Sequence, residues 1–151
     1  MALNGYSEVV TWSFMDEKKA KIISDEIIGL KNPISADLNT MRPSTLPNLL
    51  EAINHNKARM YIRAKIFEVG PNFSKSLPDQ QENVATAIAY GSSDEQNWLS
   101  NKKNIDVFSI KADLFSILAN LNVPIDNLLY EKLEGQIYHP GKSSSLRLGK
   151  N

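Results

Sequence analysis

The chain predicts an α+β fold, and three observations carry that reading. Ala64 to Val69 and Val84 to Tyr90 read as strands, and the polar, Pro-containing stretch from Pro71 to Asn83 between them suits a hairpin with a wide loop. Leu46, Leu49, Leu50, Ile53 and Lys57 follow i, i+3, i+4, i+7, i+11 spacing, so a helix that is apolar on one face until its last turn should dock on the sheet. Val107, Ile110, Leu114, Ile117, Leu118 and Leu121 lie on one face of a second long helix beginning near Asp106.

The other elements follow in order. In Glu8 to Phe14, Val9, Thr11 and Ser13 oppose Val10, Trp12 and Phe14, which predicts a strand with one strongly apolar face. Asp16 offers its carboxylate as N-cap to a short helix running through Ile23. Glu26 to Leu30 reads as a second strand stopped by Asn32-Pro33, because proline donates nothing to a ladder. Residues from Asn32 to Thr40 should be irregular, and Ser44 or Thr45 should cap the first long helix, with Pro47 in its first turn where a missing N–H does no harm. Ser92 to Asn104 is polar apart from Trp98 and Leu99. Asn122 to Pro124 ends the second long helix, and Leu128 to Leu133 and Ser144 to Leu148 are strands flanking a loop at Tyr138 to Lys142.

Composition removes several function classes. A length of 151 residues suits one domain able to bury a core without disulfides or metal, and 42% hydrophobic against 23% charged residues is the balance of a globular protein. The 17 basic and 17 acidic residues cancel, so no whole-molecule field draws the chain to nucleic acid or to an anionic membrane. Contact with RNA would need a local patch. The absence of cysteine excludes a thiol nucleophile and a Cys-based zinc site. No apolar run reaches the length of a membrane helix and no leader pattern opens the chain, so a cytoplasmic location is expected.

Few residue groupings carry chemistry. Gly141-Lys142-Ser143 looks like the end of a P-loop, but the required glycine falls on Gln136, Gly135 is one place out of register, and Pro140 removes an amide from the cradle, so a turn is expected. His55 and His139 have no partner at metal-ligand spacing, and the acidic pairs Asp16-Glu17, Asp25-Glu26 and Asp94-Glu95 are consecutive, so their carboxylates do not face one another. No catalytic residue, cofactor-binding residue or metal ligand is assigned. The densest basic cluster is Lys57, Arg59, Arg63 and Lys65 with Tyr61 interleaved; Lys57, Arg59, Tyr61 and Arg63 form a candidate RNA-binding group, set against a plain helix C-terminus whose dipole favours cations.

A resemblance covers nearly the whole chain. Gly5-Tyr6-Ser7-Glu8-Val9, the turn Asn32-Pro33-Ile34-Ser35, the stretch Met41-Arg42-Pro43-Ser44-Thr45-Leu46-Pro47-Asn48-Leu49-Leu50, the strand Phe67-Glu68-Val69-Gly70, the helix start Asp106 to Asp113, and Tyr138-His139-Pro140-Gly141-Lys142-Ser143 come in one order with sensible gaps. Together they resemble the core of the phenylalanyl-tRNA synthetase beta subunit family of bacterial type. Ala112 stands where that family usually has glycine. The structural signature is therefore Asn32, Pro33, Met41, Arg42, Leu46, Pro47, Phe67, Glu68, Gly70, His139, Pro140 and Gly141.

The resemblance implies a class II aminoacyl-tRNA synthetase-like scaffold, a mainly antiparallel sheet flanked by helices, that braces a catalytic alpha subunit in an assembly of two alpha and two beta subunits. ATP and Mg²⁺ would serve the assembled ligase and tRNA would be held by the whole assembly, with no cofactor in this piece. A catalytic strand of the second class II motif carries an arginine for the α-phosphate where this chain has Glu68, and a carboxylate repels phosphate and has no donor fork to offer it. The helix of the first motif would precede Gly5 and the third motif would lie beyond Asn151, so a domain truncated at both ends is expected. A stand-alone adenylating or acyl-transfer enzyme on the same scaffold, or an RNA-binding module, remain the alternatives.

Overall fold

The structure is a computed structural model that describes residues 1–73, 81–92, 98, 104–133 and 137–149. The described residues are α+β and group into two compact units, Met1–Asp106 and Val107–Asn151. In the first unit, β1 (Ser7–Glu8), β4 (Ala64–Phe73) and β5 (Gln81–Tyr90) form a sheet in the order β1-β4-β5, while β2 (Phe14–Met15) and β3 (Thr40–Met41) form a separate pair. β1 is parallel to β4; the other pairings are antiparallel, so the pairing is mainly antiparallel but divided among small sheets.

The β4–β5 hairpin runs in unbroken register from Ala64↔Tyr90 to Phe73↔Gln81, longer at both strands than the pattern predicted. Gly70-Pro71 does not end β4, because β1 pairs only with Ile66 and Phe67 and the strand beyond them tolerates a residue without an N–H. Period-2 alternation then sorts the side chains. Ala64, Ile66, Ile88 and Tyr90 share the face on which α2 (Leu46–Ala58) lays Leu49 and Ile53, and these residues with Val9 and Ala52 form the core cluster. Leu49 and Ile53 are buried as their spacing predicted, but Leu50 is half-exposed and the polar Asn48 is buried in its place.

The expected strand from Glu8 to Phe14 is interrupted. Residues 9–13 are irregular, and the face expected to be apolar and buried is turned outward, with Val10 90% and Trp12 65% exposed. The cause is polar: Asn48 Nδ2 donates to Trp12 O at 2.7 Å, the Arg42 backbone N–H donates to Ser13 O at 2.9 Å, and Thr11 points inward to a buried ion pair. Once Thr11 is fixed inward, its neighbours on either side must point out.

Local capping follows sequence logic more closely. Asp16 Oδ1 accepts from Lys18 N at 2.8 Å at the start of α1 (Glu17–Ile23). At α2, Ser44 Oγ accepts from Leu46 N at 3.2 Å, whereas Thr45 turns its hydroxyl to Thr86 and gives its N–H to Asn72 Oδ1 at 3.0 Å. Glu26 to Leu30 forms only a bridge, Gly29↔Thr40, flanked by Leu30 N to Asn39 O and Met41 N to Ile28 O, each 2.8 Å. Most of the polar run between Ser92 and Asn104 lies outside the described residues.

The second unit holds α3 (Val107–Asn120) and the antiparallel pair β6 (Leu128–Lys132) and β7 (Ser144–Leu148). Asn122, at positive φ, ends the helix as expected. The apolar stripe of α3 is not buried among the described residues: Val107, Ile110, Leu114 and Leu121 are exposed and Ile117 and Leu118 only half-buried. One helix and one two-stranded ribbon offer too little surface to cover it.

Two measurements check this description. Gly91 has φ +87°, and a Cβ there would stand 2.2 Å from the Ile62 carbonyl oxygen, so Gly91→Ala should lower stability by more than about 1 kcal/mol, read from the urea midpoint. Lys19, hydrogen-bonded to Glu51 across α1 and α2, has its pKa raised above the usual 10.5 by that bond and by the Glu51, Asp16 and Asp37 charges, against the opposing effect of desolvation. A raised folded pKa stabilises fully below the unfolded value and is lost as pH rises through the folded one. Because the pair is solvent-screened, Lys19→Met should cost at most about 1 kcal/mol at neutral pH, and the difference should vanish in strongly alkaline urea titrations.

Candidate functional site

Two motifs of the structural signature converge at one buried point. Arg42 directly follows β3 and Glu68 lies mid-β4; the two are 1% and 3% exposed, and Arg42 Nη1 donates to Glu68 Oε1 at 2.7 Å. Arg42 Nε donates to Pro71 O at 3.0 Å, and Nη1 also reaches Thr11 Oγ1 at 3.0 Å. Thr11 Oγ1 donates to Glu68 Oε2 at 2.7 Å and accepts from Asn48 Nδ2 at 3.1 Å, so both carboxylate oxygens are engaged. Gly70 completes the cage: a Cβ there would meet Arg42 Nη2 at 2.6 Å. A desolvated charge pair is costly unless its remaining donors and acceptors are satisfied, and here both oxygens of Glu68 and the Nε and Nη1 of Arg42 have partners.

This geometry bears on nucleotide binding. Glu68 faces a guanidinium of its own chain rather than solvent. Arg42 is committed to Glu68, Thr11 and the Pro71 carbonyl and has no free fork for a phosphate. Among the described residues no group of three or more His, Asp or Glu side chains could hold a metal ion. This buried pair therefore offers a phosphate no grip.

The basic cluster is divided. Lys57 is in the last turn of α2 and Arg59 caps its C-terminus, both exposed, the placement expected for cations against a helix dipole. Tyr61 and Arg63 instead line a cleft of about 510 Å³ with Asn4, Ser7, Asn56 and Lys65. Lys65 Nζ lies 3.4 Å from Asn4 O and 5.0 Å from the centre of the Tyr6 ring.

The remaining signature residues are placed plainly. Asn32 and Pro33 are exposed in an irregular segment, Met41 ends β3, Leu46 and Pro47 open α2, and Phe67 is buried beside Glu68. In the second unit His139-Pro140-Gly141 is a turn: His139 Nδ1 accepts from Gly141 N at 3.1 Å, and His139 O accepts from Lys142 N at 3.0 Å and from Ser143 Oγ at 2.9 Å. The Gly135 and Gln136 positions weighed for a P-loop lie outside the described residues. His55 is exposed on α2. Sequence reasoning missed Thr11 and Asn48 as partners of the ion pair, and it did not pair Arg42 with Glu68; Asn48 lies off the Leu46, Leu49, Leu50 and Ile53 stripe, so helical periodicity gave no signal for it.

Comparison with known proteins places the chain in a class of aminoacyl-tRNA synthetase components. The family described as the phenylalanyl tRNA synthetase beta chain CLM domain matches residues 1–151, and the chain belongs to that family. It is similar to the phenylalanine–tRNA ligase beta subunit of Rhodospirillum rubrum, 38% identical over 152 residues, covering 99% of this chain and 19% of that protein. It is likewise similar to the beta subunits of Wolbachia sp. subsp. Brugia malayi, 39% identical over 97% of this chain and 18% of that protein, and of Rickettsia prowazekii, 37% identical over 100% and 19%. The chain thus spans about a fifth of the length of these relatives.

Arg42→Met leaves Glu68 as an uncompensated buried charge and should cost about 3–5 kcal/mol in chemical denaturation, while adding Glu68→Leu to the same variant should recover a large part of the loss.

Proposed function

We propose that this chain is a non-catalytic scaffold domain of a phenylalanine–tRNA ligase beta subunit, which braces an alpha subunit within an assembly of two alpha and two beta subunits. The observation that carries the reading is the Arg42–Glu68 pair. Where a catalytic relative would present a guanidinium to ATP, this chain has a carboxylate neutralised from inside, so the position serves packing rather than phosphate binding. The mainly antiparallel pairing, with α2 on one face of the β4–β5 hairpin, supports a class II synthetase-like scaffold. Phenylalanine activation with ATP and Mg²⁺ then belongs to the alpha subunit, and tRNA is held by the whole assembly.

The exposed apolar side chains fit a component that is covered by something else. Val10 and Trp12 in the first unit and Val107, Phe108 and Leu121 in the second stand in solvent, more than a self-sufficient domain needs. No helix among the described residues is long and apolar enough to cross a membrane, and the translation role assigns the chain to the cytoplasm.

Two assays test the reading together. The purified chain should show no phenylalanine-dependent ATP–pyrophosphate exchange, and it should co-elute with a matching alpha subunit in size-exclusion chromatography. Exchange by the chain alone would establish a stand-alone adenylating enzyme instead, and separate elution would remove the bracing role.

A further inference from the structure

We propose that the cleft between the irregular run after β1 and helices α1 and α2 receives an arginine side chain presented by a partner polypeptide, its guanidinium stacked on Trp12 and bonded to Asp37. This goes beyond the scaffold role and does not rest on it, because the cleft's chemistry asks for a guanidinium whoever supplies one. The cleft, of about 300 Å³, has Trp12, Asp16, Lys19, Asp37, Asn48 and Glu51 in its lining. One ammonium among three carboxylates leaves it acidic in a chain of zero net charge. Lys19 is spent on Glu51 and Asp16 takes the N–H of Lys18, whereas Asp37 is exposed and has no hydrogen bond or ion pair among the described residues. The same acidity acts on Lys19, whose pKa is raised by its hydrogen bond to Glu51 and, against desolvation, by the charges of Glu51, Asp16 and Asp37. A second cation entering beside it meets that field.

The second observation is a buried acceptor without a donor. Asn48 is 7% exposed, and its Nδ2 is committed to Thr11 Oγ1 at 3.1 Å and to Trp12 O at 2.7 Å. Its Oδ1 is the one buried side-chain polar atom with no hydrogen-bond partner among the described residues. An unmatched acceptor of this kind destabilises until a donor reaches it. Water does not reach this oxygen in the structure. The Trp12 backbone already touches the amide and the Trp12 side chain is exposed, so turning the indole is the way in. A guanidinium that draws the indole onto its own plane brings N–H groups to Asn48 Oδ1 and to the Asp37 carboxylate together. Arginine suits the site better than lysine, since a planar group stacks on indole, sheds water more readily and offers five donors in a fixed fork. The volume fits one long side chain rather than a cofactor.

The chain has two tryptophans, so Trp98→Phe keeps Trp12 as the only indole and makes its emission a reporter of the cleft. Titrating N-acetylarginine amide, a blocked and chain-like arginine, should change that emission saturably, with half-saturation at about 1–10 mM. The citrulline counterpart, equal in shape but uncharged, should need at least about tenfold more. Asp37→Asn should weaken binding about threefold or more, and Asp37→Glu should largely restore it. Lys19→Met should tighten it about twofold or more, because the cleft loses its own cation and Glu51 is released; a merely structural role predicts no such gain. Asp25→Asn, on an exposed carboxylate outside the cleft, should leave the midpoint unchanged. If Trp98→Phe does not fold, calorimetry on the unsubstituted chain reads the same midpoints. The proposal is overturned by no saturable binding up to about 50 mM, by citrulline amide binding equally well, or by free arginine binding as tightly as the amide, which would mark a metabolite site. Alpha-subunit co-elution reads the scaffold role separately, so either idea can fail alone.

Discussion

The first unit is arranged around a guanidinium–carboxylate contact that water cannot reach. Burying Arg42 and Glu68 costs solvation that their attraction offsets better the more completely the polar atoms around them are matched, and Thr11, Asn48 and Pro71 supply those partners while Gly70 leaves room for the guanidinium. It joins four stretches of chain: the irregular run after β1, the end of β3, the first half of α2, and β4. It turns Thr11 inward while Val10 and Trp12 face out, and a side chain at Gly70 would have to displace the Arg42 guanidinium. The match is short by one atom, since Asn48 Oδ1 has no hydrogen-bond partner among the described residues.

The same contact also carries the proposed scaffold reading, because it turns Glu68 into the chain. Class membership rests on the order of elements and on the family match, and both are indifferent to whether the central charge is a catalytic tool. With Glu68 satisfied from within, this part of the sheet is an internal joint. Solvent-exposed pairs such as Lys19–Glu51 contribute little beside it.

How much was legible in the sequence depended on the range of the interaction. The Asp16 cap, the helix α2, the bounds of β7 and the turn at His139 were all readable because the groups concerned lie within a few residues of one another. The core positions Leu49 and Ile53 were readable from helical periodicity. The strand expected over Glu8 to Phe14 failed because alternation assumes the apolar face goes inside, and here a hydroxyl was drawn in by charges far along the chain. The long reach of β4 past Gly70-Pro71 was hidden for a related reason: those residues usually punctuate a strand, but a strand with one open edge and a guanidinium packed against its glycine tolerates both. The α3 stripe was read correctly as helical, yet periodicity says nothing about what lies opposite. Of the basic cluster, only the structure could show that Tyr61 and Arg63 line a cleft with Lys65 while Lys57 and Arg59 sit apart at the helix end.

The parallel pairing of β1 with β4 has a consequence for the order of folding. Thr11 and Glu68 are 57 positions apart, and β1 contributes only Ser7↔Ile66 and Glu8↔Phe67 to the sheet. Closing so long a loop for so few contacts is entropically expensive, whereas the β4–β5 ribbon closes locally and rewards each successive pair. The amino-terminal stretch is thus expected to settle after the ribbon and α2 have met, bringing Thr11 to an ion pair whose other groups are already close.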